Sequence, residues 1–178
     1  MIHVIAAIDR RLSIGHGNQL LFRLPDDMRR FRLLTTGHTV LMGRKTFQSL
    51  PKGALPNRRN LVVSRQGFRA PGAEVFASLA DALDASTGEE VYIIGGASVY
   101  RQTVALADTL HLTEVDAIAP LADAYFPSIA PDVWTEVGRE HHPADDRHAV
   151  AFDFVDYVRQ GKASDAFPAV HGSSFSID

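Results

Sequence analysis

The sequence predicts an α/β fold, with a largely parallel sheet and helices on its faces. Three observations carry this. Short apolar and β-branched runs alternate with amphipathic helical stretches along most of the chain, the pattern of βαβ units. Some of these runs stop at glycine and pass directly into a helix, as at Met42-Gly43-Arg44 and Ile94-Gly95-Gly96-Ala97. The last two runs, Trp134 to Glu140 and Phe152 to Val158, have no helical stretch between them and read as an antiparallel pair.

The elements follow in order. Met1 leads into a strand-like run, Ile2 to Ile8, whose middle, Val4-Ile5-Ala6-Ala7-Ile8, reads as buried. Its alanines leave room for something to approach the backbone. A loop with Gly15, Gly17 and Asn18 comes next. Leu24-Pro25 opens a helix, because proline fits a first turn where its missing N–H is not needed. That helix runs to about Thr35 and is stopped by Thr36-Gly37-His38. Thr39 to Met42 is a strand ended by Gly43, Arg44 to Leu50 a short helix, and Pro51 to Asn60 a Pro/Gly/Asn loop. Leu61 to Ser64 and Val75-Phe76 read as strands, Leu79 to Ala85 as a helix, and Val91 to Ile94 as a strand cut off by Gly95-Gly96. Ala97 to Leu106 is helical and Thr109 to Val115 is a strand. No internal repeat occurs. The expected division is a domain over residues 1–159 and a C-terminal tail over 160–178 that lacks periodicity and lies outside the core.

Composition narrows the function classes. The chain has 178 residues, 46% apolar and 22% charged, enough for one domain with a substantial core. No cysteine is present, which excludes disulfides and thiolate metal sites. The eight histidines form no HExxH or other spaced ligand set, so no metal is expected. There is no signal pattern and no long apolar run, and a cytoplasmic protein without membrane partners is expected. A net charge of -3 argues against general nucleic-acid binding. Basic residues cluster locally at Arg44-Lys45, Lys52, Arg58-Arg59 and Arg65, where a small anion can be held. Arg58-Arg59 also reads as ordinary surface. Glu89-Glu90 and Asp145-Asp146 read as solvated loop charges.

Asp27 stands out. At about 100° per residue it shares a helical stripe with Leu24, Phe31 and Leu34, whereas Asp26 points a quarter turn away toward solvent. A carboxylate in an apolar setting costs several kcal/mol unless it is paired, protonated or matched to a ligand. Complementing the helix N-terminus is the competing role for it.

The glycine junctions point to a second ligand. Gly95-Gly96 lies between a strand and a helix start, where backbone can approach a phosphate. A Gly pair there also reads as a tight turn, and it does not match G-x-G-x-x-G. Gly43-Arg44-Lys45-Thr46 puts two cations and a hydroxyl at another helix start without P-loop spacing. Cations there oppose the helix dipole unless an anion binds. Ser64-Arg65 is a third such pair. Together they suggest a ligand with several phosphates, such as a nucleotide.

Over about residues 1 to 159 the chain resembles bacterial dihydrofolate reductase. The resembling pieces occur in order: Ile5-Ala6-Ala7; Ile14-Gly15 with Asn18; Leu24-Pro25 with Asp27 and Phe31; Met42-Gly43-Arg44-Lys45-Thr46; Leu55-Pro56 with Arg58-Arg59-Asn60; Ile94-Gly95-Gly96; Leu112-Thr113; and Asp123 with Phe126-Pro127. At these spacings the set is highly specific.

The resemblance implies a mixed, mainly parallel eight-stranded sheet with flanking helices, a monomer, and reduction of 7,8-dihydrofolate to tetrahydrofolate with NADPH. It implies that Asp27 binds the pterin's N3 and 2-amino edge through charge-assisted bonds. A water then delivers the proton to N5, and Thr113 bonds both Asp27 and the pterin. Ile5, Met28, Phe31, Leu50, Leu55, Ile94 and Tyr100 would wall the substrate site. Arg58 would grip the folate α-carboxylate, with Arg32 and Lys52 also on the substrate side. Ala7, Ile14, Asn18 and Gln19 would frame the nicotinamide. Gly43, Arg44, Lys45, Thr46, Ser64, Arg65, Gly95, Gly96, Ala97, Ser98, Val99 and Gln102 would carry the cofactor's phosphates and adenosine. The Gly95-Gly96 bond is cis in the family. Antifolate-type molecules are further implied ligands.

Three departures matter. Leu21-Phe22 stands where Pro-Trp is common, so Phe22, expected near the catalytic water, brings no indole N–H. Ala97-Ser98 replaces a frequent Gly-Arg pair. Glycines common near Asp123 are absent from Ala119 to Ala122. Two other readings remain: a pyrimidine reductase of riboflavin synthesis on the same fold, which has no need of Asp27 and Arg58 together, and a non-catalytic nucleotide-binding or sensor module, which leaves Asp27 without a role.

Overall fold

The structure is a computed structural model that describes residues 1–161. The expected tail, from residue 162 onward, lies outside the described residues. Ten strands and four helices are found among those described: β1 Ile2–Ile8, β2 Ser13–Gly15, α1 Pro25–Thr35, β3 Thr39–Gly43, α2 Arg44–Ser49, β4 Arg59–Val63, β5 Glu74–Phe76, α3 Leu79–Ala85, β6 Val91–Gly95, α4 Ala97–Thr103, β7 Thr109–Val115, β8 Ala124–Tyr125, β9 Trp134–His142 and β10 Phe152–Arg159.

Eight strands form one sheet in the order β5-β4-β3-β6-β1-β7-β10-β9. All pairs from β5 through β7 are parallel. β10 is antiparallel to both β7 and β9. The mixed, mainly parallel eight-stranded sheet is therefore present. Strand order reverses about β1, which lies between β6 and β7. In open α/β sheets ligands bind beyond the strand C-termini at such a reversal.

Strand pleating builds a core on each face. Val4, Leu41, Leu61 and Ile93 pack with Ala82, Val99 and Tyr100 on the α3 and α4 side. Their neighbours Ile5, Val40, Met42, Val62 and Tyr92 pack with Phe47, Phe31 and Leu34 on the α1 and α2 side. A central strand thus serves two cores, which explains why its residues read as one apolar run.

Several elements differ from expectation. β2 and β8 pair only with each other. At three and two residues they are too short to show a period. α4 ends at Thr103 rather than Leu106, and the Thr103 hydroxyl bonds back to the Val99 carbonyl at 2.7 Å, a contact that favours ending or bending a helix. β4 covers Arg59–Val63 rather than beginning at Leu61, because Arg59 is fixed by Glu74 at 2.7 Å and Glu89 at 2.6 Å. Glu89-Glu90 are consequently not free loop charges. Glu89 also accepts from Thr39 at 2.6 Å, and Glu90 lies 2.5 Å from His3 Nε2.

Candidate active site

α1 carries the central group. It has no side-chain N-cap of its own. His148, fully buried in the β9–β10 connection, accepts from the Asp26 backbone N–H at 3.1 Å, and its Nδ1 lies 2.9 Å from Asp145. Asp26 remains partly exposed, as expected, and its carboxylate pairs at the surface with Arg147 at 2.6 Å. Asp145 likewise organises the turn, accepting from the backbone N–H groups of Arg147 and His148. The stripe around Asp27 divides between two clusters. Leu24 packs with Val115 and Phe152, while Phe31 and Leu34 join the Ile5 side of the sheet.

Asp27 itself meets β7, where the Thr113 hydroxyl donates to Asp27 Oδ1. Burial pushes the Asp27 carboxyl above the usual carboxylate range, against the opposing pull of the Thr113 hydroxyl and the Arg30 charge. Thr113 is held opposite Ala7 of β1 in the sheet register. Ile5, Phe31, Leu50, Leu55 and Ile94 fall in one apolar cluster. Tyr100 packs instead in the core on the α3 and α4 side and reaches this strand only through its hydroxyl, which donates to the Ile5 carbonyl at 2.7 Å. Met28 is 46% exposed and lies outside that cluster, and Arg32 and Lys52 are also exposed. Phe22 packs beside Leu24, Val115 and Phe152.

Arg58 is held at the other end of α1. Its Nε donates to the Pro56 carbonyl at 2.9 Å and its Nη1 to the buried Thr35 hydroxyl at 3.1 Å. Thr35 gives no functional signal in sequence, yet its place near the end of α1 makes it the buttress for Arg58. Burial, and then the nearby Arg32 charge, lower the Arg58 guanidinium from its usual value. Two like charges in proximity favour an anion between them. A cavity of about 400 Å³ lined by His38, Arg58, Arg59 and Glu89 opens at the N-terminal ends of β3 and β4. It excludes Asp27, so the carboxylate and the apolar wall define the site better.

The glycine junctions converge at the C-terminal ends of β3 and β6. A Cβ on Gly43 would sit 3.3 Å from Val99 Cγ2, and one on Gly95 3.3 Å from Thr46 Oγ1. Gly95 has φ +128° and its bond to Gly96 is cis. Gly43, Thr46, Gly95, Gly96, Val99 and Tyr100 therefore share one cradle, which side chains on the glycines would fill. Asn18 reaches it from the β2 loop, donating to the Lys45 carbonyl at 2.7 Å. Ile14 lies in β2, and Gln19 exchanges backbone bonds with His16. Arg44 touches Gln48 at 3.3 Å, and Gln102 bonds Ser98 at 3.1 Å. Lys45, Arg65 and Ser98 are exposed, whereas Ala97 is half-buried. The Ser64 hydroxyl is engaged by the Gln66 carbonyl at 2.9 Å, which leaves its oxygen able only to accept. Among the described residues no group of His, Asp and Glu is arranged to hold a metal.

Comparison with known proteins agrees with this arrangement. The family model for dihydrofolate reductase matches residues 1–159. The chain is 44% identical over 159 residues to a dihydrofolate reductase of Neisseria gonorrhoeae, covering 88% of this chain and 97% of that one. It is 43% identical over 162 residues to a type 3 dihydrofolate reductase of Salmonella typhimurium, covering 90% and 99%. A solved Enterococcus faecalis dihydrofolate reductase, complexed with NADP(H) and RAB-propyl, superposes with a TM-score of 0.84 at 28% identity, covering 90% of this chain and 96% of that one. With a match that spans both the Asp27 helix and the glycine cradle, the chain belongs to the dihydrofolate reductase family.

Proposed function

We propose that this protein reduces 7,8-dihydrofolate to 5,6,7,8-tetrahydrofolate with NADPH, using Asp27 as its substrate anchor. The observation that carries the reading is the half-buried carboxylate of Asp27, fixed by Thr113 at the rim of an apolar wall. A carboxylate there is matched by the cationic or amide edge of a flat heterocycle.

The residues present fit the cofactor. Gly43, Gly95 and Gly96 leave backbone open to a pyrophosphate, and Arg44, Lys45 and Arg65 supply cations around it. NADPH supplies the hydride when bound. The chain's own part is binding, orientation and charge. Asp27 and Thr113 hold the pterin edge, and Ile5, Phe31, Leu50, Leu55 and Ile94 exclude water from its faces. Arg58, buttressed by Thr35, holds the substrate carboxylate, with Arg32 and Lys52 at the exposed rim. Asp27 acts by stabilising the protonated pterin, since N5 accepts its proton from water. Phe22, packed on Leu24, borders that water's access without donating to it.

Residues 1–159 are the proposed catalytic domain, and a cytoplasmic location fits its substrates. Among the described residues no helix is long and apolar enough to cross a membrane. The test is loss of NADPH absorbance with dihydrofolate as the sole acceptor. Turnover supports the reading. Turnover only with a pyrimidine precursor of riboflavin moves the protein to the other reductase.

A further inference from the structure

We propose that Arg30 is the positioning residue that keeps the Asp27 carboxylate ionised, and that Asp156 sets how strongly it does so. The proposal rests on the role of Asp27 given above.

Asp27 and Arg30 are three residues apart on α1 and share a face. They grip consecutive residues of β7. Asp27 accepts from the Thr113 hydroxyl, and Arg30 Nη1 lies 3.4 Å from the Leu112 carbonyl. The guanidinium is held from two further directions. Asp156 Oδ1 accepts from Arg30 Nη2 at 2.5 Å, and the Phe154 ring lies 4.7 Å from the guanidinium carbon. Arg30 is only 16% exposed, so its field is weakly screened.

Asp156 is shared. His111 Nδ1 lies 2.8 Å from the same oxygen, and His111 stands directly opposite Asp156 in the sheet register. Behind His111 lie the Thr109 hydroxyl at 3.2 Å and His3 Nδ1 at 3.4 Å, and His3 Nε2 ends the chain on Glu90 at 2.5 Å. The groups facing Asp27 are Arg30 on α1, Thr113 on β7 and Tyr100 on α4. Those facing Asp156 are Arg30 on α1 and His111 on β7, with His3 on β1 one step further.

Opposing effects follow from this order of charges. Without Arg30, the Asp27 carboxylate loses its cation and holds its proton to higher pH. Without the charge of Asp156, Arg30 acts on Asp27 with less compensation, and the carboxyl ionises at lower pH. A purely mechanical role, docking α1 on the sheet, moves both variants the same way.

The experiment is a carboxyl-carbon NMR titration of the ligand-free full chain, with the Asp27 signal assigned by its loss in Asp27→Asn. Arg30→Gln raises the Asp27 midpoint by roughly 0.5–1 pH unit. Arg30→Lys keeps the charge and leaves the midpoint nearly in place. Asp156→Asn, which keeps an acceptor for both donors, lowers it. The acid limb of kcat/KM for dihydrofolate moves with the NMR midpoint. Unchanged midpoints, or shifts of the same sign in Arg30→Gln and Asp156→Asn, overturn the proposal. The titration needs no substrate, so an enzyme inactive on dihydrofolate overturns the functional reading and leaves the NMR result to judge the pairing.

Discussion

The Thr113 hydroxyl of β7 donates to the Asp27 carboxylate of α1. This bond joins the residue with the least comfortable charge on the helix to the centre of the sheet. It also fixes which carboxylate oxygen is engaged, and so which remains for a ligand.

Asp27→Asn is expected to stabilise the ligand-free protein at neutral pH while reducing turnover about 100-fold or more. The Asp27 carboxyl is raised by burial above its unfolded value. Between the two values the folded chain retains a proton that the unfolded chain has lost. Its stability is therefore highest in acid and falls as pH rises through the folded value. Asparagine avoids that loss and can still accept from Thr113. Calorimetry should show a higher Tm at neutral pH for Asp27→Asn than for the unmodified protein. The gain should vanish in acid. A lower Tm at neutral pH would show that the carboxylate is structurally required.

Arg58→Leu should weaken dihydrofolate binding by about tenfold or more, since a charge-assisted contact contributes roughly 1.5–3 kcal/mol. NADPH affinity should stay nearly constant. Equilibrium binding of a pterin that lacks the glutamate moiety is the control. Equal weakening for that pterin would remove Arg58 from its assigned contact.

Much of this site is legible in sequence, for reasons that differ by residue. Asp27 shows because helical spacing places it beside Leu24 and Phe31. Gly43 and Gly95 show because they interrupt apolar strands at helix starts. The Arg30–Asp156 pair does not show, because its members are 126 residues apart and meet only once β10 is known to lie beside β7. Glu89 and Glu90 read as solvated for the same reason, their partners being at the starts of β1, β3 and β4. His148 gives no local signal at all, since its task is to cap a helix remote in sequence.

Acid should destabilise the fold through His3. Burial, then the neighbouring His111 charge, hold the His3 imidazole down to about 4, although the Glu90 contact opposes this. An unfolded histidine binds its proton near its ordinary value, so stability is present above that value and is lost as pH falls toward 4. Urea unfolding from neutral pH to pH 4 should show this loss, and His3→Gln should flatten it. Equal pH dependence in the two proteins would place the acid sensitivity elsewhere.

NADPH should be preferred to NADH, because Arg44 and Arg65 offer cations to an additional phosphate, whereas the Ser64 hydroxyl is spent on the Gln66 carbonyl and cannot donate to it. Changing Arg44 and Arg65 together to neutral residues should erode the preference by raising KM for NADPH, with KM for NADH little changed. Equal efficiency with both cofactors in the unmodified protein would contradict the assignment.

Single-turnover hydride transfer from NADPH to dihydrofolate, followed against pH in the unmodified protein and in Asp27→Asn, is the most direct measurement. The unmodified protein should transfer hydride rapidly at neutral pH. Asp27→Asn should bind both ligands yet transfer slowly, recovering as acid protonates the pterin from solvent. Equal rates at neutral pH in the two proteins would contradict the central role given to Asp27.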